Sequence, residues 1–287
     1  MTRQIKQRVD ELLVDPNVKN ALFRIFTVVA IVSLVPTLLE NLSNTYASFI
    51  AGVATIILIP FNHGVIVASL KVVRNNSEAL EDQDAIVGIT RFRDLFTTYF
   101  LKGLFEYIIV FLISFIGLFV FIGANITLVN TLIEVLPSLT SGDTSTLINY
   151  LSAFVTNNAS FVLGIFLLLI VSFVVSLLIE LYLFAVPYLL EQYNMKNMQA
   201  IKTSYQLMKG HILELIKLEL SYVPMIIICA ILSALIMSLV SSVISSALLA
   251  NIISYLATAV LGVYLYEIKY NLAKTVFFEE ITYKDFE

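Results

Sequence analysis

Long uncharged tracts separated by short charged ones set the pattern of this chain. Residues 25–39, 41–70, 107–133, 144–179 and 220–266 contain no Asp, Glu, Lys or Arg. A helix rises about 1.5 Å per residue and crosses a hydrocarbon core of about 30 Å in about 20 residues. The last tract is therefore long enough for two crossings joined by a turn, and each of the others supplies one. Asn41-Leu42-Ser43-Asn44-Thr45 has the small polar residues of a tight turn between the first two. The pattern predicts an all-α polytopic membrane helix bundle with about six transmembrane helices, near 21–40, 47–70, 104–124, 162–187, 222–242 and 252–270. An N-terminal segment 1–20, a single membrane domain 21–275 and a tail 276–287 complete the expected organisation.

Charge orients the bundle. With these spans all 17 Lys and Arg fall on one side. They lie in the N-terminal segment and its junction (Arg3, Lys6, Arg8, Lys19, Arg24), in the first long loop (Lys71, Arg74, Arg91, Arg93, Lys102), in the second (Lys196, Lys202, Lys209, Lys217) and near the C-terminus (Lys269, Lys274, Lys284). The opposite segments, 41–46, 125–161 and 243–251, have none. Basic loops are retained in the cytoplasm during insertion, so both termini are expected there, in a multi-pass protein of the cell membrane. An uncleaved first span is preferred to a signal peptide, because Asp10, Glu11 and Asp15 precede it and Asp15-Pro16 breaks the leading segment.

Three basic-side segments have helical periodicity. Ile5, Val9, Leu12 and Leu13 share a face, which predicts an interfacial helix ended by Pro16, with Asn17 as cap of the following span. Ile86, Ile89, Phe92, Phe96 and Tyr99 or Phe100 recur at three and four residues, as do Met198, Ile201, Tyr205, Met208, Ile212 and Leu215. Arg91, Arg93, Lys196, Lys202 and Lys209 flank these stripes and are candidate contacts to anionic lipid headgroups. The same stripes would also arise from packing beneath the bundle. Span two, an amphipathic helix and span three recur in the orientation of span four, a second such helix and span five, which hints at a parallel repeat.

Polar residues at membrane depth are functional candidates. Asn62, His63, Glu106, Glu180 and Glu267 all fall in the basic-side halves of their spans, as a polar cavity opening to that side would require. His63 reads either as a proton-responsive group or as a histidine bonded to a neighbouring helix. Glu180 follows a long uncharged run and needs a partner or a proton, whereas Glu106 has Lys102 one turn away and Glu267 has Lys269 and Lys274.

The catalytic vocabulary is thin. Two histidines, His63 and His211, are too few for a membrane iron oxygenase, and no His-Glu-x-x-His, P-loop or Gly-x-Ser-x-Gly sequence occurs. The single cysteine, Cys229, has no possible disulfide partner within the chain. Neither a cofactor nor a metal is expected, nor an enzyme activity, nor binding to nucleic acid. Pro187 and Pro224 read as boundary prolines, and no pair of Gly- or Pro-broken spans stands in matching positions.

The second basic loop carries Ala200-Ile201-Lys202-Thr203-Ser204-Tyr205-Gln206-Leu207-Met208-Lys209-Gly210-His211, followed by Leu218-Glu219-Leu220-Ser221-Tyr222. This resembles the bacterial membrane family called domain of unknown function 975, whose members are mostly from Gram-positive bacteria. The absence of tryptophan departs from that family's pattern. A similar arrangement occurs in the membrane domain attached to some glycerophosphodiester phosphodiesterases, whose catalytic domain has no counterpart here. The resemblance implies an architecture and no activity. Two readings stand: a non-enzymatic membrane component in envelope stress, peptide tolerance or regulation of a partner, or a small-solute or lipid transporter with an inward-facing polar cavity. Candidate partners are anionic lipids of the inner leaflet and another membrane protein or an ABC-type ATPase. With Cys229 replaced by Ser, a cysteine at Asp143 should react with a membrane-impermeant maleimide only from outside intact cells, and one at Ser77 only after the membrane is opened.

Overall fold

A computed structural model describes residues 1–41, 45–131, 133 and 144–286, and every regular element among them is helical. Residues 42–44 of the expected turn at 41–45, and 134–143 of the connection 125–161, lie outside the described residues. Helices are the form in which a chain can cross lipid with its backbone bonded internally. Six are long and apolar enough to do so: Pro16–Glu40, Tyr46–Val73, Phe92–Ala124, Ala159–Tyr193, Val223–Val243 and Ala247–Tyr283. The third has 33 residues, about 50 Å of helix against a core of about 30 Å, so it overruns the span expected from hydropathy.

The chain separates into two compact units, Met1–Lys102 with Leu181–Glu287, and Gly103–Glu180, where the sequence predicts one membrane domain. In the smaller unit the helices of spans three and four, α7 (Phe92–Ala124) and α9 (Ala159–Tyr182), run antiparallel. Ser114 and Ser172 share a hydroxyl hydrogen bond of 2.8 Å. Gly117 receives Leu168 and Gly164 receives the Phe121 ring, the small-residue contacts that let membrane helices approach closely. Helix α8 (Thr144–Asn157) precedes α9, and Phe154 meets Phe161 edge to face. Most large side chains here, such as Phe119 and Leu169, are exposed, as lipid-facing residues are.

The larger unit is built from α1 (Thr2–Leu12), α2 (Pro16–Ser33), α3 (Val35–Glu40), α4 (Thr45–Leu58), α5 (His63–Val73), α6 (Val87–Thr90), the start of α7, α10 (Val186–Tyr193), α11 (Asn197–Met208), α12 (Ile212–Leu220), α13 (Val223–Val243), α14 (Ala247–Gly262) and α15 (Ile268–Phe286). Its core gathers the basic-side ends of these helices: Ile5 and Val9 of α1, Leu22 and Phe26 of α2, Phe61, Leu189, Leu215, and Phe277, Phe278 and Ile281 of α15. The stretch expected as a tail beyond 275 is thus helical as far as Phe286, with Val276, Phe277, Phe278 and Ile281 buried, because α15 supplies the post on which α1 packs. That contact also takes up the apolar edge of α1, which the sequence assigns to the membrane surface.

Local signals explain the boundaries. Asp15, not Asn17, caps α2: its carboxylate accepts the Asn17 amide at 2.8 Å, and Pro16 occupies the first turn. Pro36 separates α2 from α3, and Pro60 forces a 3-10 turn, Ile59–Asn62, into the second span. Spans one and two are therefore each interrupted at a proline, Pro36 and Pro60, that the sequence reading does not single out. The loop after α5 folds back because Lys71 donates to both Asp84 oxygens, at 2.7 and 2.8 Å, and to the Ala79 carbonyl.

The two amphipathic stripes are buried only in part: Ile201, Met208 and Leu215 of the second are core, and other members are not. In the second, α11 hides Ala200, Ile201, Ser204, Leu207 and Met208, while Met198 and Tyr205 are exposed. The repeat is also interrupted: Gly210, at φ 104°, turns the chain between α11 and α12, a conformation that favours glycine. Ser204 Oγ donates to the Tyr182 carbonyl at 2.8 Å and accepts from the Ala185 amide at 3.1 Å. The Lys-Thr-Ser motif therefore closes the backbone opened between α9 and α10. In the first stripe Leu95 and Thr98 are buried, while Ile86, Ile89 and Phe100 are exposed and Phe92, Phe96 and Phe100 stack along the outside of α7.

Gly88 permits the closest approach of backbone to backbone, since a Cβ there would stand 2.3 Å from the Pro60 carbonyl and 2.5 Å from Phe61 Cα. Gly88→Ala should lower stability by about 1–3 kcal/mol through backbone displacement, read as a fall in melting temperature in mild detergent. Gly103→Ala, with nothing within 4 Å and inside a helix where Ala is favoured over Gly, should not lower it.

Candidate functional site

The Pro60 turn determines where the one deeply buried histidine stands. His63 opens α5 directly after the turn and is wholly inaccessible. Gly64 and Gly88 lie under the backbone of Asp84–Ala85 and Pro60–Phe61 respectively. They bring the 82–91 segment against the break and Arg91 to its edge.

Both ring nitrogens of His63 are engaged. Nδ1 is 2.8 Å from Tyr99 Oη on α7, and Nε2 is 2.9 Å from Glu191 Oε2 on α10. Arg91 Nη1 donates to the same Glu191 oxygen at 2.7 Å. The Tyr99 ring meets the imidazole edge to face at 5.7 Å between centroids. A carboxylate beside an arginine can only accept, so Nε2 carries a hydrogen, and in the neutral ring Nδ1 accepts from the Tyr99 hydroxyl. The chain Tyr99–His63–Glu191–Arg91 is thus closed, each group using another's hydrogen-bonding capacity. Glu191 is half-buried and Arg91 more open, so the network runs from the interior to the surface.

Around it, Asn197 and Thr98 join α11 to α7, with the Asn197 amide donating to Thr98 Oγ1 at 3.0 Å. Lys196 pairs with Asp94 at 3.3 Å. These contacts fix α7 against α10 and α11 within the larger unit.

The sequence candidates separate. Asn62 is exposed and accepts the Ser33 hydroxyl at 3.0 Å. His63 turns instead to Tyr99 and Glu191. Glu267 lies in a π turn, Val263–Glu267, with its carboxylate close to Gly262 and its carbonyl accepting from Asn271. Glu106 and Glu180 belong to the smaller unit, the first half-buried and the second exposed. Of the headgroup candidates, Arg91 is committed to Glu191 and Lys196 to Asp94, while Arg93, Lys202 and Lys209 are exposed.

Sequence reading misses Glu191 altogether and places Tyr99 only in an apolar stripe. Glu191 lies 128 positions from His63, and no local spacing announces such a pair. The one available signal is that a histidine buried near the end of span two needs an acceptor from another segment.

Six helices long and apolar enough to cross a membrane define a multi-pass helical membrane protein. A family model described as protein of unknown function (DUF975) matches residues 1–285, and the chain belongs to that family. No curated protein and no solved structure matches it.

Removing the Glu191 carboxylate would leave the buried His63 N–H without an acceptor, a loss of about 1–3 kcal/mol. Glu191→Ala should lower the unfolding midpoint in detergent accordingly. Tyr99→Phe, which removes one neutral bond worth about 1 kcal/mol, should lower it less.

Proposed function

We propose that the protein is a non-enzymatic, multi-pass component of the bacterial cytoplasmic membrane, with both termini in the cytoplasm, that acts by engaging and regulating a membrane partner. The observation that carries this reading is the closure of the His63 network. A solute pathway needs polar groups left free to meet cargo, and here the most buried ionisable side chain has both nitrogens occupied by protein. The break at Pro60, which a transporter would use to present bare backbone, is covered by Gly88. Glu180, another of the polar groups that a cavity would use, is exposed.

The Gly103–Glu180 hairpin offers the surface for association. In the most apolar stretches of spans three and four no residue is buried, so these helices present uninterrupted apolar flanks to lipid or to another membrane helix. Envelope stress and peptide tolerance are roles compatible with a component of this kind, which would exert its effect through a protein bearing its own catalytic or transport machinery.

Photocrosslinking residues at Phe119 and Leu169, both well exposed, test this in native membranes. Adducts of one discrete mass with a second membrane protein are expected from at least one position. Adducts with lipid alone, together with solute uptake by liposomes containing only this protein, would overturn the reading.

A further inference from the structure

We propose that the larger unit holds a binding niche for the phosphate of an acidic glycerophospholipid, formed where α1 meets the start of α13 and the π turn of the last span. The inference depends on the chain lying in a membrane and not on its orientation or its partner.

The niche is a cavity of about 170 Å³ bounded by Lys6, Asp10, Tyr222, Met225, Tyr266 and Lys269. Its charge is unbalanced. Lys269 is paired with Asp10 at 2.7 Å. Lys6 is half-buried and has no carboxylate within ion-pair distance among the described residues; its ammonium donates to the Ser221 carbonyl at 2.9 Å and lies 4.6 Å from the centre of the Tyr222 ring. An ammonium has three donors, so donors remain for an anion, and two lysines against one aspartate leave the cavity positive. Tyr222 is turned away from that role, since its hydroxyl donates to the Lys269 carbonyl.

The remaining wall indicates what kind of anion. Met225 and Leu265 line the same cavity, so a ligand there meets cations and apolar side chains together. A small soluble phosphate uses only the first. The position matches an amphiphile too: Pro224 stands in the first turn of α13, and the cavity lies where the charged sequence of α12 gives way to the uncharged span. Lysines at such a boundary extend apolar stems and keep their charge among headgroups. The π turn, Val263–Glu267, carries Leu265 and Tyr266 into the wall, and π turns inside helices frequently mark functional positions. On the far side of the same turn a second cleft pairs Lys19 with the Tyr264 ring at 5.7 Å, beside Leu13 and Phe23, repeating the combination of cation, tyrosine and apolar wall.

Native mass spectrometry of the delipidated full chain in detergent, titrated with phosphatidylglycerol or phosphatidylcholine, reads the niche directly. Wild type should bind phosphatidylglycerol about fivefold more tightly, the scale of one lysine near an anionic surface. Lys6→Gln should abolish that preference and Lys6→Arg keep it, while Lys217→Gln, an exposed lysine outside the niche, should change nothing. Met225→Trp, which fills the apolar wall without altering charge, should also expel the lipid and serves if Lys6→Gln fails to fold. Preference retained in Lys6→Gln, or binding undiminished in Met225→Trp, would overturn the proposal. Displacement of phosphatidylglycerol by inorganic phosphate or glycerol 3-phosphate would assign the site to a soluble phosphate and overturn it equally.

Discussion

Hydrocarbon supplies no hydrogen bonds, so a helix crossing it can be interrupted only where other parts of the protein cover the exposed backbone. In this chain the interruptions near Leu34, at Ile59–Asn62, at Leu183–Ala185 and at Val263–Glu267 all belong to the larger unit, and two have an identifiable cover. Gly88 lies against the Pro60 carbonyl, and Ser204 bridges the Tyr182 carbonyl and the Ala185 amide. In the Gly103–Glu180 unit α7 and α9 each run unbroken through the span itself, and the turns at Asn125 and Asn158 fall at their ends. The distribution of breaks and the distribution of buried core are two expressions of one requirement.

The polar contacts follow from the same arrangement. Segments between spans do not hang free: Lys71 to Asp84, Arg24 to Asp82, Arg74 to Glu279 and Lys274 to Glu219 tie them to one another and to α15. Exposed pairs such as Arg24–Asp82 contribute little each, of order 0–1 kcal/mol, so cohesion rests on the apolar core they surround. The His63 network differs because its central group is fully enclosed, and there the cost of a missing partner is larger than the gain from a present one.

Much of this was legible in the sequence, and the part that was not has a physical cause. Crossing a membrane needs about 20 apolar residues, a one-dimensional property, so the six spans could be counted from Ile25 to Tyr266 without knowing any neighbour. Which face of an amphipathic helix is buried is a different kind of question. In α11 protein burial selected Ala200, Ile201, Ser204, Leu207 and Met208 and left Met198 and Tyr205 outside, so only part of the apolar stripe read from the sequence is core. Hydropathy cannot distinguish a stripe that meets protein from one that meets lipid. The helical end beyond 275 was hidden for a related reason, since Lys274, Glu279 and Glu280 give it the composition of a tail although its other face is core. Glu191 could be joined to His63 only in three dimensions.

The contact between α1 and α15 joins distant parts of the sequence: Ile5 and Val9 share the core with Val276 and Phe277, and Lys269 holds Asp10 across 259 positions. A helix made before the first span therefore completes its packing only once the sixth has been made, so insertion of the spans can run ahead of assembly of the core. A lesion in α15 would be felt at α1, however far apart the two stand in the sequence.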